Sequence, residues 1–140
     1  MSDGNRILVL HVDGGARGNP GPAAVGIVIS TPAGNVVEEV AETIGVATNN
    51  VAEYRALLRG LERATSLGAH EVRVINDSEL VARQVMGRYK VRNPAMQPLH
   101  AEVTQALHGF DRWSIESVPR AQNREADALV NRALDAAASR

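Results

Sequence analysis

The sequence predicts an α/β fold, in which a mixed sheet of five strands is flanked by helices within one domain of residues 1–140. Two observations indicate this class. Three strand-like segments precede the first helical pattern, and two shorter strands then alternate with helices, with glycine or proline between the segments. Since a chain of 140 residues with 44% hydrophobic content can bury one core, no second domain is required.

The first three strands are predicted to form an antiparallel meander. Apolar runs at 6–13 and 23–30 flank a glycine- and proline-rich stretch, and a turn at 31–35 leads into a third strand at 36–43. Asp13 is therefore expected at the end of a strand, beside backbone that glycine leaves bare. A plain β-hairpin is the alternative interpretation of this stretch.

Helices and two further strands complete the predicted order β-β-β-α-β-α-α-β-α. Apolar residues spaced three and four positions apart predict four helices, at 51–68, 80–87, 95–107 and 123–137. Two short strands are predicted at 71–76 and 113–118. Helical crossovers allow the first, fourth and fifth strands to run parallel, with the second antiparallel to them. Asn50 and Glu53 are a predicted capping pair at the start of the first helix.

Composition excludes several kinds of chemistry. The chain has no cysteine, which rules out disulfides, thiolate metal sites and a thiol nucleophile. A net charge of −1 gives no global signal for a polyanionic partner, so nucleic-acid binding must depend on local groups. No run approaches the roughly 20 apolar residues of a membrane span, and the amino terminus has no leader pattern. We expect a cytoplasmic monomer without a membrane or protein partner.

Four acidic residues fall at junctions or first turns of different elements: Asp13, Glu53, Asp77 and Asp127. Sites in open α/β sheets lie beyond the carboxyl ends of parallel strands, where Asp13 and Asp77 are expected. Carboxylates that approach one another destabilise a metal-free fold, so a shared cluster requires a cation. Mg²⁺ or Mn²⁺ suits oxygen ligands, and two such ions about 4 Å apart can promote phosphodiester hydrolysis. Singly, each carboxylate also has a structural alternative as a turn, capping or solvated residue.

With these residues in view, the chain resembles the type I ribonuclease H family, whose members cut the RNA strand of RNA–DNA hybrids. Four motifs carry the resemblance over nearly the whole length, at 13–22, 48–54, 76–78 and 123–127. The resemblance implies a ribonuclease H-like fold with strand order 3-2-1-4-5. It also implies two Mg²⁺ ions, for which Mn²⁺ can substitute. Asp13 would bridge both, Glu53 and Asp77 would bind one, and Asp127 would help to hold the ion that carries the attacking water.

The resemblance also implies contacts with the hybrid. Glycine backbone and short amide side chains suit the shallow minor groove, where 2′-hydroxyls mark the RNA strand. Thr48 resembles a residue that grips a DNA phosphate, and Glu53 can accept a hydrogen bond from a 2′-hydroxyl. The residues expected to contact substrate are Gly14, Gly15, Gly18, Asn19, Thr48, Asn49, Asn50, Ser78, Tyr89 and Asn123.

Three features depart from the best-known bacterial pattern. Arg120 occupies the loop where a mobile catalytic histidine is expected, as in a shorter bacterial and archaeal subgroup. A long basic protrusion is reduced to residues 88–92, Arg-Tyr-Lys-Val-Arg, which either meet the DNA backbone or form a solvated turn. We therefore expect weak, salt-sensitive substrate binding. Glu79 replaces a common substrate-contacting glutamine, and its charge should not help affinity.

Two functional alternatives stay open. One is another nuclease of the same superfamily, although such proteins usually lack the first two motifs together. The other is a hybrid-binding module without catalysis, against which the complete acidic quartet argues because carboxylates repel an anionic ligand unless a cation is present. A fragment of a larger fusion protein is also compatible with the sequence.

Overall fold

The computed structural model describes residues 6–139. The strands are β1 (Ile7–Ala16), β2 (Gly21–Ser30), β3 (Val36–Ala47), β4 (Glu71–Asn76) and β5 (Arg112–Ser117). The helices are α1 (Asn49–Ser66), α2 (Glu79–Val85), α3 (Gln97–Leu107) and α4 (Arg124–Ala138), with a 3₁₀ turn at Arg120–Gln122. Residues 1–5, to which the expectation about a leader applied, lie outside this range. None of the helices within it has both the length and the apolar character needed to cross a bilayer.

The five strands form one sheet in the order β3-β2-β1-β4-β5. β2 runs antiparallel to β1 and β3, whereas β1, β4 and β5 are mutually parallel. This topology confirms the predicted mixed sheet, its strand order and the orientation of its second strand. The parallel pairs need crossovers, which the helices between β3 and β4 and between β4 and β5 supply.

Helices cover both faces of the sheet. The main core packs Tyr54, Leu57 and Leu61 of α1 against strand residues such as Leu10 and Ile27, all of them almost completely buried. A smaller cluster joins Ala24 of β2 to Val130 and Leu134 of α4. Because successive strand side chains point to opposite faces, α4 lies on the face opposite α1. The catalytic candidates are thus carried by elements on both sides of the sheet.

β1 is longer than predicted. The expectation that the glycines end the strand at Asp13 was wrong, because β1 pairs with β2 as far as the Ala16–Ala23 pair. Glycine weakens a strand but keeps the N–H group that the ladder needs. The parallel pairing of β1 with β4, however, stops at His11. Asp13 therefore still lies beyond the carboxyl edge of the parallel part of the sheet.

Two other predictions needed correction. β3 continues to Ala47, four residues beyond the predicted end, and passes through Gly45 at φ 81°. The predicted Asn50–Glu53 capping pair was also wrong. Thr48 is the N-cap of α1, because its backbone is extended and its Oγ1 accepts a 3.2 Å hydrogen bond from the Val51 N–H. The remaining boundaries agree with prediction to within two residues.

Two glycines allow helices to pack unusually close to the sheet. A Cβ atom on Gly14 would lie 2.1 Å from the carbonyl oxygen of Ala52 in α1. A Cβ atom on Gly26 would lie 2.3 Å from the carbonyl oxygen of Ala126 in α4. Since Asp13 precedes Gly14 and pairs with Gly26 across the ladder, both contacts occur beside it. The next residues along the two helices are Glu53 and Asp127, so this packing brings three carboxylates to one place.

Candidate active site

The four predicted carboxylates lie around two adjoining cavities. Asp13, Glu53 and Asp127 line an open cleft of about 380 Å³. Asp77 lines a small neighbouring cavity together with Asp13 and Glu53. A larger cavity of about 720 Å³ lies between β3, α1 and α4, but no member of the quartet lines it. Residues that are far apart in the chain therefore meet at one edge of the sheet, as the sequence predicts.

Local structure holds Asp77 toward the cavity and leaves its carboxylate out of helix capping. The Ser78 N–H donates to Asn76 Oδ1 at 2.7 Å, which makes a tight turn at the end of β4. Ser78 Oγ then accepts from the Val81 N–H at 3.2 Å and caps α2. The alternative in which Asp77 is the N-cap is thereby excluded. Thr48 likewise removes the capping role considered for Glu53.

Burial and mutual repulsion disfavour the charged forms of these acids. Burial, followed by the fields of Asp77, Asp127 and Glu53 and a hydrogen bond to Asp127, raises the pKa of Asp13 to about 8. Burial raises the pKa of Glu53 to about 7, and a hydrogen bond from Ser78 partly opposes this shift. Burial also raises the pKa of Asp77, against the opposing field of Arg120. The positive charge of Arg120 therefore compensates the negative charge of the cluster only in part.

The donor set fits a hard divalent cation. Asp77 Oδ2 is buried without a hydrogen-bond partner, and its nearest cationic atom, Arg120 Nε, is 3.8 Å away. An orphaned buried carboxylate oxygen beside other carboxylates is a position that a cation would satisfy. Within residues 6–139, no three His, Asp or Glu side chains already lie close enough together to bind one metal ion.

The turn between β1 and β2 is tied to the start of α1. The Asn49 N–H donates to Asn19 Oδ1 at 3.1 Å, and the Ala16 N–H donates to Asn49 Oδ1 at 2.9 Å. Gly18 makes this turn possible with φ +96°. Both asparagine side chains thus use their oxygen atoms internally. Their NH₂ groups have no partner in the described part of the chain, and such donors match the acceptor atoms on base edges.

A second groove lies on the other side of the α1 N-terminus. Asn50, Lys90 and Arg92 line this cavity of about 240 Å³. Gln84 braces the connector that supplies the two cations, because its Oε1 accepts from the Tyr54 hydroxyl at 2.6 Å and its Nε2 donates to the Lys90 carbonyl. Consecutive residues Asn49 and Asn50 therefore line different cavities, the first acidic and the second basic.

Arg83 is a neighbour of the basic groove that the sequence analysis missed. Its Nε donates to Glu79 at 2.7 Å, and its guanidinium lies 5.4 Å from the centre of the Tyr89 ring. The Glu79 charge, expected to oppose phosphate binding, is thus offset within the protein. Tyr89 is 49% exposed and remains available for contact. The four-residue spacing of Glu79 and Arg83 is the sequence signal that could have identified the pair.

Asn123 is a correction to the predicted substrate contacts. Its side chain is completely buried, which prevents contact with a bound duplex. Instead, Nδ2 donates to the Val12 carbonyl at 2.9 Å and fixes the start of α4 against β1, one residue before Asp13. Gly14 is also buried against α1, so its main structural role is close packing. Arg120, by contrast, is 82% exposed at the cleft.

Sequence comparisons relate this chain to known proteins. Residues 11–133 match the protein family described as reverse transcriptase-like. Ribonuclease HI of Halobacterium salinarum is 47% identical over 125 residues, which are 89% of this chain and 63% of that protein. The bifunctional protein Rv2228c of Mycobacterium tuberculosis is 48% identical over 132 residues, which are 94% of this chain and 36% of that protein. The chain thus spans less than two thirds of either relative.

Solved structures extend the likeness to three dimensions. The crystal structure of RNase H1 from Halobacterium salinarum has a TM-score of 0.90 at 46% identity, covering 92% of this chain and 98% of that one. The structure of LC11-RNase H1, a protein isolated from compost, in complex with an RNA/DNA hybrid has a TM-score of 0.89 at 42% identity. That match covers 93% of this chain and 98% of the other.

Proposed function

Because this chain belongs to the type I ribonuclease H family, we propose that it is an endoribonuclease that hydrolyses the RNA strand of RNA–DNA hybrids. The proposed products carry 3′-hydroxyl and 5′-phosphate ends. The similarity to LC11-RNase H1, which was solved with an RNA/DNA hybrid, supports this substrate class.

One observation carries the proposal. An acidic cleft and a basic groove lie on either side of the ridge that Thr48, Asn49 and Asn50 form at the start of α1. A duplex whose minor groove straddles this ridge would place one strand over the carboxylates and the other against Lys90 and Arg92. The strand in the acidic cleft is the one that is cut, and in a hybrid it is the RNA.

The carboxylates would hold the metal ions. Asp13 lies centrally, since it lines both cavities and the negative charges of Asp77, Asp127 and Glu53 all act on it. Two bound Mg²⁺ or Mn²⁺ ions would supply Lewis acidity that lowers the pKa of the attacking water and stabilises the departing oxygen. Arg120, exposed at the rim, would help to neutralise phosphate charge in the place where related enzymes use histidine.

Selection of RNA would depend on short side chains near the ridge. Glu53 lines the acidic cleft, so one of its oxygens can accept a hydrogen bond from a 2′-hydroxyl while the other binds metal. The NH₂ groups of Asn19 and Asn49 would donate to base acceptors in the minor groove. The Thr48 hydroxyl accepts from Val51 but keeps its own proton for a DNA phosphate. None of these contacts requires a particular sequence.

Residues 88–92 would hold the DNA strand. Arg88, Lys90 and Arg92 are all exposed, and Tyr89 adds an exposed ring beside them. Three cations on a short connector give modest affinity that falls steeply with salt.

We further propose that residues 1–140 act as one catalytic domain and as a monomer in the cytoplasm.

A cleavage assay tests the proposal. Labelled RNA is presented in a hybrid, in an RNA duplex and as a single strand, with Mg²⁺ or Mn²⁺, to the wild-type chain and to Asp77→Asn. We expect cleavage of the hybrid alone, new 3′-hydroxyl and 5′-phosphate ends, and a loss of at least about 100-fold in the variant. Equal cleavage of all three substrates would contradict the proposed specificity. Undiminished activity of Asp77→Asn would contradict the assigned site.

A further inference from the structure

We propose that Arg17 binds a backbone phosphate of the cleaved strand and that Asp135 competes with that phosphate for its guanidinium. The inference rests on the proposed function, because it concerns the strand that occupies the acidic cleft. It assigns a phosphate-binding position on the wall of the cleft to a residue outside the predicted site.

Arg17 lies on the correct wall for such a contact. It stands in the turn after β1, and it lines the same cleft of about 380 Å³ as Asp13, Glu53 and Asp127. The turn is rigidly placed, since Asn19 and Asn49 bind it to α1 and the Arg17 N–H donates to the Pro22 carbonyl at 2.8 Å. Because the backbone of the turn is already fixed, binding of an anion by Arg17 requires ordering of the side chain alone.

The guanidinium is held but not saturated. Its Nη2 donates to Asp135 Oδ1 at 2.6 Å and more weakly to Asn131 Oδ1 at 3.5 Å, both on α4. Among the described residues, its Nε and Nη1 atoms make no hydrogen bond. The side chains of Arg17 and Asp135 are 44% and 70% exposed, respectively. An exposed ion pair of this kind is weak and exchanges readily with a phosphate, which an arginine fork binds well.

The position along α4 indicates which phosphate is reached. Asp127 lies in the first turn of α4, and Asn131 and Asp135 follow it by four and eight residues. At about 1.5 Å per residue, these residues lie roughly 6 and 12 Å farther along the helix. Asn131 Nδ2 also contacts Asp127, at 3.2 Å from its carbonyl and 3.5 Å from Oδ2. Arg17 therefore reaches a phosphate beside the scissile one rather than the scissile phosphate itself.

The competing explanation is that the Arg17–Asp135 pair only fastens the turn to α4. The two explanations predict different directions of change in substrate affinity when Asp135 is replaced. Removing either partner breaks a fastening equally, so Arg17→Ala and Asp135→Asn would act alike. If Arg17 binds phosphate, Arg17→Ala weakens substrate binding, whereas Asp135→Asn frees the guanidinium and strengthens it. The partly exposed Arg73–Glu71 pair on β4, at the opposite end of that strand from Asp77, supplies control variants.

The experiment measures KM, kcat and their salt dependence on a labelled hybrid for Arg17→Ala, Arg17→Lys, Asp135→Asn and the controls Arg73→Ala and Glu71→Gln. Anisotropy of the same hybrid gives Kd in an Asp77→Asn background. We expect Arg17→Ala to raise KM and Kd about 3- to 10-fold, to change kcat less than about twofold, and to reduce the salt slope by roughly one. Asp135→Asn lowers both constants, Arg17→Lys recovers part of the loss, and the controls match wild type.

Three results would overturn the inference: shifts of Arg17→Ala and Asp135→Asn in the same direction, no shift in either, or equal shifts in the controls. The wild-type protein separates this failure from failure of the proposed function. If wild type does not cleave the hybrid, the proposed function fails and the inference fails with it. If wild type cleaves the hybrid and Arg17→Ala and Asp135→Asn shift KM and Kd in the same direction, only the inference fails.

Discussion

Replacement of Asp13 by asparagine should inactivate the protein and yet stabilise its metal-free fold. Burial and neighbouring carboxylates raise the pKa of Asp13 from its ordinary value of 3.8 to about 8. When the pH is above 3.8, the pKa of this carboxyl in the unfolded chain, the unfolded chain releases the proton more readily than the folded chain does. The contribution of Asp13 to the free energy of unfolding is therefore fully present at low pH and is lost as the pH rises from about 4 through about 8. An amide, which has no charge, escapes this loss.

The size of the effect follows from the shift. At about 1.4 kcal/mol per pKa unit, a rise of roughly four units has an upper limit of about 6 kcal/mol. The proton is shared with neighbouring carboxyls and the cleft is open to water, so the real gain is smaller. We expect Asp13→Asn to raise the free energy of unfolding by about 1–3 kcal/mol at pH 8 in chelator. The gain should vanish near pH 4.

Urea unfolding in chelator, followed by circular dichroism from pH 4 to pH 8, measures this difference. The difference between variant and wild type is the informative quantity, because ion pairs elsewhere change the absolute profile; Arg63, for example, lowers the pKa of Glu38. Asp111→Asn, the same chemical change at an exposed residue outside the cleft, should stay within about 0.5 kcal/mol of wild type. An Asp13→Asn protein that is less stable than wild type at pH 8 would refute the carboxylate cluster.

Two further predictions concern packing and the basic connector. Gly26→Ala should push α4 outward by about 1 Å, with a loss of about 1–3 kcal/mol in stability and about 100-fold in kcat. Gly60→Ala is the control, because a Cβ atom at Gly60 would meet only side-chain atoms, the nearest of them 3.1 Å away on Val12. This variant should retain activity. An equal loss of kcat in Gly60→Ala would contradict the argument that close packing at Gly26 positions Asp127. Alanine at Arg88, Lys90 and Arg92 together should raise KM several-fold and flatten its salt dependence, with kcat nearly unchanged. An unchanged KM would make the connector a solvated turn.

The sheet and the quartet were predictable because their signals are local and repeat in the sequence. The lengths of apolar runs identified the strands, and three- and four-residue spacing identified the helices. Asp13 and Asp77 were placed by the rule that sites lie at the carboxyl edge of parallel strands. The end of β1 was not predictable from composition, since glycines at 14 and 15 pair with β2 through their backbone alone. At these two glycines, the backbone hydrogen bonds with β2 outweigh the low strand propensity of glycine.

What the sequence could not supply was the use to which a polar side chain is put. Asn123 follows the same chemistry as Asn19 and Asn49, yet it is buried under the start of α4, and only the packing of the helix on β1 decides this. The contacts of Arg17 also depend on the folded chain. Arg17 meets α4 across more than 100 residues of sequence, as its 118-residue separation from Asp135 shows. Such partners carry no local signal.

Titration with Mn²⁺, followed by paramagnetic broadening in NMR spectra, tests most directly whether the four carboxylates serve one metal site. We predict that amide signals around Asp13, Glu53, Asp77 and Asp127 broaden together at substoichiometric Mn²⁺. Excess Mg²⁺ should reverse the broadening, and Asp13→Asn should weaken it at all four positions. Broadening that reaches only one or two of these segments, or that persists unchanged in Asp13→Asn, would contradict a shared site.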